Sequence, residues 1–368
     1  MKIAILGTRG FPNIQGGVEK HCEGLTINLV KLGCEVVVFT RKPYVNKSLK
    51  EFDGVTLIAL PAFRHKSLEA FCHTFIGIFA ALRYKPDILH IQGIGPGLFT
   101  PLARILGMNV VLTSHGSNYK HLKWGKFAKL VLRLGEFLGV IFANEVIAIS
   151  KTIADEIKKK YRRDAEIIPN GVATAQVYKS NGVIKKYGLE KGKYILAVGR
   201  FVPEKAFDNL IAAYSKLPTP NSKLVIVGNA DHEDKYSLDL KKKAGENSNI
   251  VLTGFLTKEP LRELYSHAGL FVLPSYYEGL PIVLLEAVSF GLSCIASDIP
   301  ANKEVGLSEE RFFKAGDVEA LAEKMKEFAD RPFKEEEKRK QMDMIAQRYN
   351  WEEIAERTLD VYRKVMQS

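Results

Sequence analysis

The feature that most restricts the fold is a succession of short apolar runs separated by helical patterns, and it occurs twice along the chain. The first series comprises KIAILGT (2–8), EVVVFTR (35–41), VTLIALP (55–61), DILHIQG (87–93), NVVLTSH (109–115) and EVIAIS (145–150). Most of these runs are continuous rather than alternating, the pattern of parallel strands covered on both faces. Helical spacing fills the intervals, as in VEKHCEGLTINLVKLG and SLEAFCHTFIGIFAALRYK. After IIPNGV (167–172) and a polar stretch the pattern restarts with KYILAVGR (193–200), KLVIVGN (223–229), NIVLTGF (249–255), LFVLPS (270–275) and SCIASD (293–298). Each series reads as a doubly wound α/β domain. The chain has 368 residues, too many for one ordinary core. The expected division is therefore two Rossmann-like domains, residues 1–175 and 176–350, facing each other across a cleft. The segment WEEIAERTLDVYRKVMQ follows the natural end of the second domain and is free to pack elsewhere, including on the first.

Charge is distributed unevenly between the halves. Residues 1–180 carry 25 Lys and Arg against 13 Asp and Glu, whereas residues 181–368 carry 28 against 29. The excess positive charge of the first half suits an anionic partner: nucleic acid, anionic lipid or a phosphorylated substrate. A merely soluble basic surface is the competing reading. Cys22, Cys34, Cys72 and Cys294 show neither CxxC nor metal-ligand spacing, which fits a reducing cytoplasm without structural disulfides. MKIAILGTRG does not read as a signal peptide, and no apolar run reaches the ~18 residues of a membrane span. A cytoplasmic protein is expected.

In open α/β sheets ligands collect beyond the carboxyl ends of the strands, so the loops there are the places to search. After the first strand, GTRGFPNIQGGVEKH places Gly16 and Gly17 just before a helix, where bare backbone N–H groups suit an anion. The loop is too long for the dinucleotide fingerprint, and a glycine pair also serves simply as a turn. After the first strand of the second domain, VGRFVPEKAF sets Arg200 at the strand end and Lys205 at the entry to the next helix. Two such cations suit a diphosphate, against the plainer reading of a solvated pair.

The segment SYYEGLPIVLLEAVSFG holds Glu278 and Glu286, with seven residues between them and no other charge among those. Pro281 suits the first helical position, so Glu278 belongs to a loop and Glu286 lies about one and a half turns into the helix. A bend there would bring both carboxylates to one rim, with the N–H groups of Leu280, Ile282 and Val283 between them. Carboxylates accept from hydroxyls, which points to a sugar or ribose. Glu286 in so apolar a helix needs a partner if it is only structural. His115, in LTSHGSNYKH, ends another strand, and alone it reads as readily structural as catalytic.

In their order along the chain these loops resemble the family 4 retaining glycosyltransferases of the GT-B fold, also called group 1, of the exopolysaccharide and cell-surface glycan assembly type. Glu278 and Glu286 match that family's Glu–seven–Glu pattern and Arg200 and Lys205 its Arg/Lys pair. Gly16-Gly17, His115, Ile168-Pro169-Asn170-Gly171-Val172 and Ala296-Ser297-Asp298 fall in the expected order. The resemblance implies transfer of a sugar from a nucleotide-diphosphate sugar to an acceptor hydroxyl with retention. It implies that Arg200 and Lys205 hold the diphosphate, that Glu286 accepts from the ribose, and that Glu278 accepts from the transferred sugar. Gly279, Leu280, Pro281, Ile282 and Val283 would line the sugar and phosphates, His115 would contact the sugar, Gly16 and Gly17 would approach the β-phosphate, and Phe255 lies where the family holds the base. The last helix, 351–368, would cross back to the first domain, which is the acceptor-binding domain in such proteins; the second binds the donor.

No cofactor and no metal are expected. Asp231-His232-Glu233-Asp234 is the one acidic cluster considered, and it reads as a solvated loop.

The acceptor is approached through WGKFAKLVLRLGEFLGVIF (124–142), which sets Lys126, Lys129 and Arg133 among Trp124, Phe127, Leu130, Leu134 and Phe137 at helical spacing. That is the pattern of an interfacial membrane helix, and core packing is the competing fate. With the basic first half, it suggests peripheral docking on an anionic membrane at the inner face of the cell and a glycan or lipid-diphosphate-linked acceptor. Two other classes stay open: a GT-B-fold nucleotide-sugar epimerase, and a basic nucleic-acid-binding protein. The latter is disfavoured because the basic half shows no nucleic-acid motif, so no nucleic-acid partner is expected.

Overall fold

The computed structural model describes residues 1–62, 69–117, 119, 125–173, 175–217, 222–329, 331 and 333–367. The chain divides into two units, Met1–Gly171 with Trp351–Ser368, and Val172–Asn350. Each is a parallel sheet with helices on its faces.

The first sheet contains β1 (Lys2–Leu6), β2 (Glu35–Arg41), β3 (Glu51–Phe52), β4 (Val55–Leu60), β5 (Ile88–Gln92), β6 (Val110–Ser114), β7 (Glu145–Ala148) and β8 (Glu166–Ile167). Their spatial order is β3-β4-β2-β1-β5-β6-β7-β8. Every pairing is parallel except β3 with β4. β5 and β6 are buried at every residue, which is why their sequences are apolar without alternation.

The second sheet contains β9 (Tyr194–Val198), β10 (Lys223–Val227), β11 (Ile250–Gly254), β12 (Leu270–Leu273), β13 (Cys294–Ser297) and β14 (Phe312–Phe313), ordered β11-β10-β9-β12-β13-β14 and wholly parallel. From β9 the chain winds outward through β10 to β11, then returns to lay β12 on the other side of β9. The loops after β9 and β12 thus diverge at a topological switch point, the place where such sheets bind ligands. The first sheet has the same device between β1 and β5.

The terminal helix Trp351–Gln367 belongs to the first unit. Ile354, Ala355, Leu359, Tyr362 and Val365 join Cys22, Leu25 and Leu29 of the helix Gly17–Lys31 in one buried cluster. Gly24 exists in that helix because a Cβ there would collide with the Trp351 indole.

Sequence offered core packing as one fate for the apolar face of 124–142, and the fold corrects it. The helix Lys126–Phe142 turns Gly135, Glu136, Gly139 and Val140 inward. Gly139 lies against Gly97 of the turn Pro96–Phe99, and glycine on both sides lets the two backbones meet. The opposite face carries Phe127, Leu130, Leu134, Phe137 and Ile141, exposed by 79%, 63%, 47%, 45% and 39%. The helix Glu69–Tyr84 likewise exposes Phe71, Phe75, Phe79 and Leu82, with Phe71 and Phe75 packed on Phe99 of the same turn. Trp124 lies outside the described residues.

Candidate active site

In the second unit the strand order brings Lys205 to Glu278. Lys205 ends a short 3-10 turn, Pro203–Lys205, rather than entering the following helix, which starts at Phe207. Its aliphatic stem passes 3.4 Å from where a Cβ on Gly199 would stand, so the glycine leaves it room. Its Nζ then donates to Glu278 Oε1 at 2.6 Å, and the Ser275 hydroxyl donates to the same oxygen at 2.6 Å. The side chains of Lys205 and Glu278 are only 16% and 11% exposed, so little water screens the pair. The two loops are also tied through their backbones, Tyr276 N donating to Glu204 O at 2.9 Å. Among the described residues no side chain bonds Glu278 Oε2.

Arg200 follows β9 as expected, but it is not a lone cation: its guanidinium pairs with Asp231 at 2.9 Å. The acidic run 231–234 therefore divides into separate duties. Asp231 holds Arg200, Glu233 pairs with Lys241 at 2.5 Å, and Asp234 caps the helix Lys235–Gly245 in a capping box with Ser237. Among the described residues no group of three or more His, Cys, Asp or Glu is arranged to hold a metal ion.

Pro281 is the residue before the helix rather than its first: the helix runs Ile282–Ser289, and Pro281 sits at φ −78° and ψ 96°. Its carbonyl accepts from Leu284 N and Leu285 N, while the N–H groups of Ile282 and Val283 have no acceptor within the helix. They and the positive end of the helix dipole form an anion-seeking terminus after β12. Glu286 does not share Glu278's surroundings. It is buried, with its Oε2 3.3 Å from the Tyr265 hydroxyl, and burial together with that carboxylate pushes the Tyr265 phenol well above its usual range. Leu280 is buried, Gly279 half-buried, and Phe255 stands 39% exposed just beyond β11.

In the first unit Gly16 and Gly17 open the helix Gly17–Lys31. Gly16 has φ +152°, and any side chain there would strike the carboxylate of Glu19. Glu19 in turn holds Arg9: its Oε1 accepts from Arg9 N and Nε, both at 3.1 Å, and the Arg9 guanidinium also donates to Gln15 O. Burial alone would raise the Glu19 carboxyl, but the adjacent Arg9 guanidinium holds it below the usual carboxylate range. This buried pair shapes the loop, and the sequence reading passed over it. His115 follows β6, half-buried, its Nε2 2.8 Å from Gln92 Oε1 and its ring edge-on to His21 at 4.9 Å. Burial, and next the neighbouring His21 and His90, depress its pKa well below the ordinary histidine value, so it is neutral. Lys126 and Arg133 are exposed, and Lys129 is half-buried.

Of the residues that sequence reasoning missed, Ser275 had a local signal, a hydroxyl three positions before Glu278. Arg9, Glu19 and Gln92 had none, because their partners are set by tertiary proximity; Asp231, read only as part of a solvated loop, pairs with Arg200 for the same reason.

Comparison with known proteins gives the same architecture. The family described as glycosyl transferases group 1 matches residues 182–349, and glycosyltransferase family 4 matches residues 15–176. An alpha-maltose-1-phosphate synthase of Mycolicibacterium smegmatis is 27% identical over 99% of this chain and 100% of its own. A UDP-Gal:alpha-D-GlcNAc-diphosphoundecaprenol alpha-1,3-galactosyltransferase of Escherichia coli is 28% identical over 70% of this chain and 69% of its own. Among solved structures, the sucrose-phosphate synthase of Thermosynechococcus elongatus superposes with a TM-score of 0.85 at 22% identity, covering 100% of this chain and 99% of the other. Two parallel-sheet units, each with its loops gathered at a switch point, and two matches that together run from residue 15 to residue 349 make the chain a GT-B-fold member of the group 1, family 4 glycosyltransferases.

Proposed function

We propose that this glycosyltransferase moves a sugar from a nucleotide-diphosphate sugar, with retention and without a metal ion, to a hydroxyl of a lipid-diphosphate-linked or cell-surface glycan precursor. The observation that carries the donor half is the Lys205–Glu278 pair at the switch point, beside the first turn of Ile282–Ser289. Breaking a glycosyl–phosphate bond builds positive charge on the anomeric carbon and negative charge on the diphosphate. Lys205, Arg200 and the N–H groups of Ile282 and Val283 stabilise the latter, so the charge needs no metal. Glu278 Oε2 accepts from a hydroxyl of the sugar, and Glu286 from the ribose. From the first unit, His115 contacts the sugar and the Gly16-Gly17 turn approaches the β-phosphate. Retention follows from the family resemblance, with the leaving phosphate taking the acceptor's proton.

The lipid-linked acceptor and membrane reading is supported by the exposed apolar face of Lys126–Phe142 and by the relative named for a diphosphoundecaprenol acceptor. The only acidic residue of that helix, Glu136, is buried; Lys126 and Arg133 flank the apolar stripe in the open. Pairing with a second copy would set like charges against each other, whereas an anionic bilayer satisfies both the stripe and its cations. Among the described residues no helix is long and apolar enough to cross a membrane.

The test is incubation with a panel of nucleotide sugars, with and without EDTA, in the presence of polyprenyl-diphosphate-linked sugar. Transfer that survives EDTA and conserves the anomeric configuration by NMR is expected. Epimerised nucleotide sugar formed without acceptor would overturn the transfer reaction, and loss of activity in EDTA would overturn its metal independence.

A further inference from the structure

β5 carries two polar side chains on one face, His90 and Gln92, inside an otherwise apolar core; they are 0% and 2% exposed. Polar groups buried so deeply persist only when bonded, and here the bonds form a chain. The Tyr362 hydroxyl, on the terminal helix, lies 2.7 Å from His90 Nδ1, and the Thr113 hydroxyl 2.6 Å from His90 Nε2. The Gln92 amide nitrogen is 3.2 Å from His90 Nε2, and its oxygen 2.8 Å from His115 Nε2.

We infer that Gln92 fixes His115 in the tautomer protonated at Nε2, that Tyr362 and His90 hold Gln92 in the orientation that does so, and that Nδ1 of His115 is thereby presented as a hydrogen-bond acceptor to a sugar hydroxyl; only this last step rests on the transferase reading proposed above. The Gln92 oxygen faces His115 Nε2, so a neutral His115 carries its single N–H there. The Gln92 amide nitrogen lies beside the His90 ring, 3.2 Å from Nε2 and 3.4 Å from Nδ1. Tyr362 and Thr113 hold that ring at its two nitrogens, and the ring in turn holds the N–H side of the carboxamide. The terminal helix thus acts on the candidate site through Tyr362 as a positioning residue, and again through Trp351, whose ring lies 5.8 Å from His21, the ring that packs on His115.

Imidazole 15N NMR of histidine-labelled protein, with His115 assigned through His115→Gln, reads this directly. In the unsubstituted protein His115 is expected to show a protonated Nε2 and a bare Nδ1 throughout pH 6–8. Tyr362→Phe keeps the ring but frees His90 to exchange tautomers, and a mixed His115 signal is expected, with transfer slowed roughly tenfold. Gln92→Glu should raise the pH at which His115 takes up a proton. The other titratable rings facing it, His21 and His90, are buried and unaltered by that substitution. A His115 protonated at Nδ1 in the unsubstituted protein overturns the inference, as does a signal unmoved by both variants. An intact NMR result beside no transfer from any nucleotide sugar overturns the transferase reading and leaves the tautomer assignment standing.

Discussion

Lys205 and Glu278 lie 73 positions apart in sequence and 2.6 Å apart in the fold. What joins them is the pairing of β12 with β9 rather than with β11, its predecessor in the chain. A cation and a carboxylate meeting there, both mostly withheld from water, neutralise one another in the free protein. An arriving diphosphate would draw on the lysine and a sugar hydroxyl on the carboxylate, with neither group needing to be carried to its place.

Truncating either partner separates catalysis from stability. Lys205→Ala and Glu278→Ala are each expected to lower kcat on the order of 10²–10³, equivalent to about 3–4 kcal/mol of transition-state stabilisation. The melting temperature should fall by only roughly a few degrees, since the helices are untouched and, in Lys205→Ala, Ser275 still donates to Glu278. Retention of most activity in either variant removes that residue from the mechanism.

Two glycines of one helix make a sharper contrast. A methyl on Gly17 meets nothing within 4 Å, and alanine favours a helix, so Gly17→Ala should melt at or slightly above the parent temperature. Its transfer rate should nonetheless fall if a phosphate approaches that backbone. Gly24→Ala drives a methyl into the Trp351 indole and should cost about 1–3 kcal/mol. Thermal melts and initial rates on the two proteins decide the matter; equal melts would refute the packing of the terminal helix against this one.

Which of these features sequence could announce depends on the range of the interaction that fixes them. β1, β2, β5, β6, β9, β10, β12 and β13 were legible because burial on both faces imposes continuous apolar runs. β3, β8 and β14 are two residues each, too short for any periodicity, and exist only because a neighbouring strand offers its edge. The Glu278–Glu286 spacing was legible, but its geometry was not: one carboxylate faces Lys205 and the other Tyr265, partners that other segments of the chain bring in. His115 was visible as a strand end. The chain behind it was not, since Tyr362 stands 272 positions from His90.

Acid should destabilise the first unit well before its carboxylates titrate. Burial holds His21 and His73 at about 4 and His90 at about 3, and His115 well below its ordinary value. All four belong to the first unit. Their folded pKa values lie below the unfolded value near 6.5, so the unfolded chain binds protons that the folded chain refuses. Stability is therefore full above about pH 6.5 and declines as pH falls toward 4, by up to about 1.4 kcal/mol per pH unit for each histidine. Calorimetry at pH 7 and 5.5, in buffers of different ionisation enthalpy, should find a lower melting temperature at 5.5 and uptake of about four protons on unfolding. A melting temperature flat over that interval would contradict the burial of these rings.

The exposed stripe on Lys126–Phe142 gives the membrane reading its own test. Phe127, Leu130, Leu134, Phe137 and Ile141 recur at alternating steps of three and four, so one side of the helix is apolar along its length. Burying that side in a bilayer surface supplies a salt-insensitive attraction. Lys126, Lys129 and Arg133 add about 1 kcal/mol each toward anionic lipid, attenuated as the Debye length shrinks. The protein should therefore float with phosphatidylglycerol vesicles, less well with phosphatidylcholine, and less well again at high salt. A Phe127→Ser, Leu130→Ser, Leu134→Ser variant should lose both kinds of vesicle. Lys126→Glu with Arg133→Glu should lose only the preference for the anionic ones. Equal flotation on the two lipids would exclude the electrostatic part. A serine variant that keeps its vesicles but changes from dimer to monomer in solution would assign the stripe to a second copy of the chain instead.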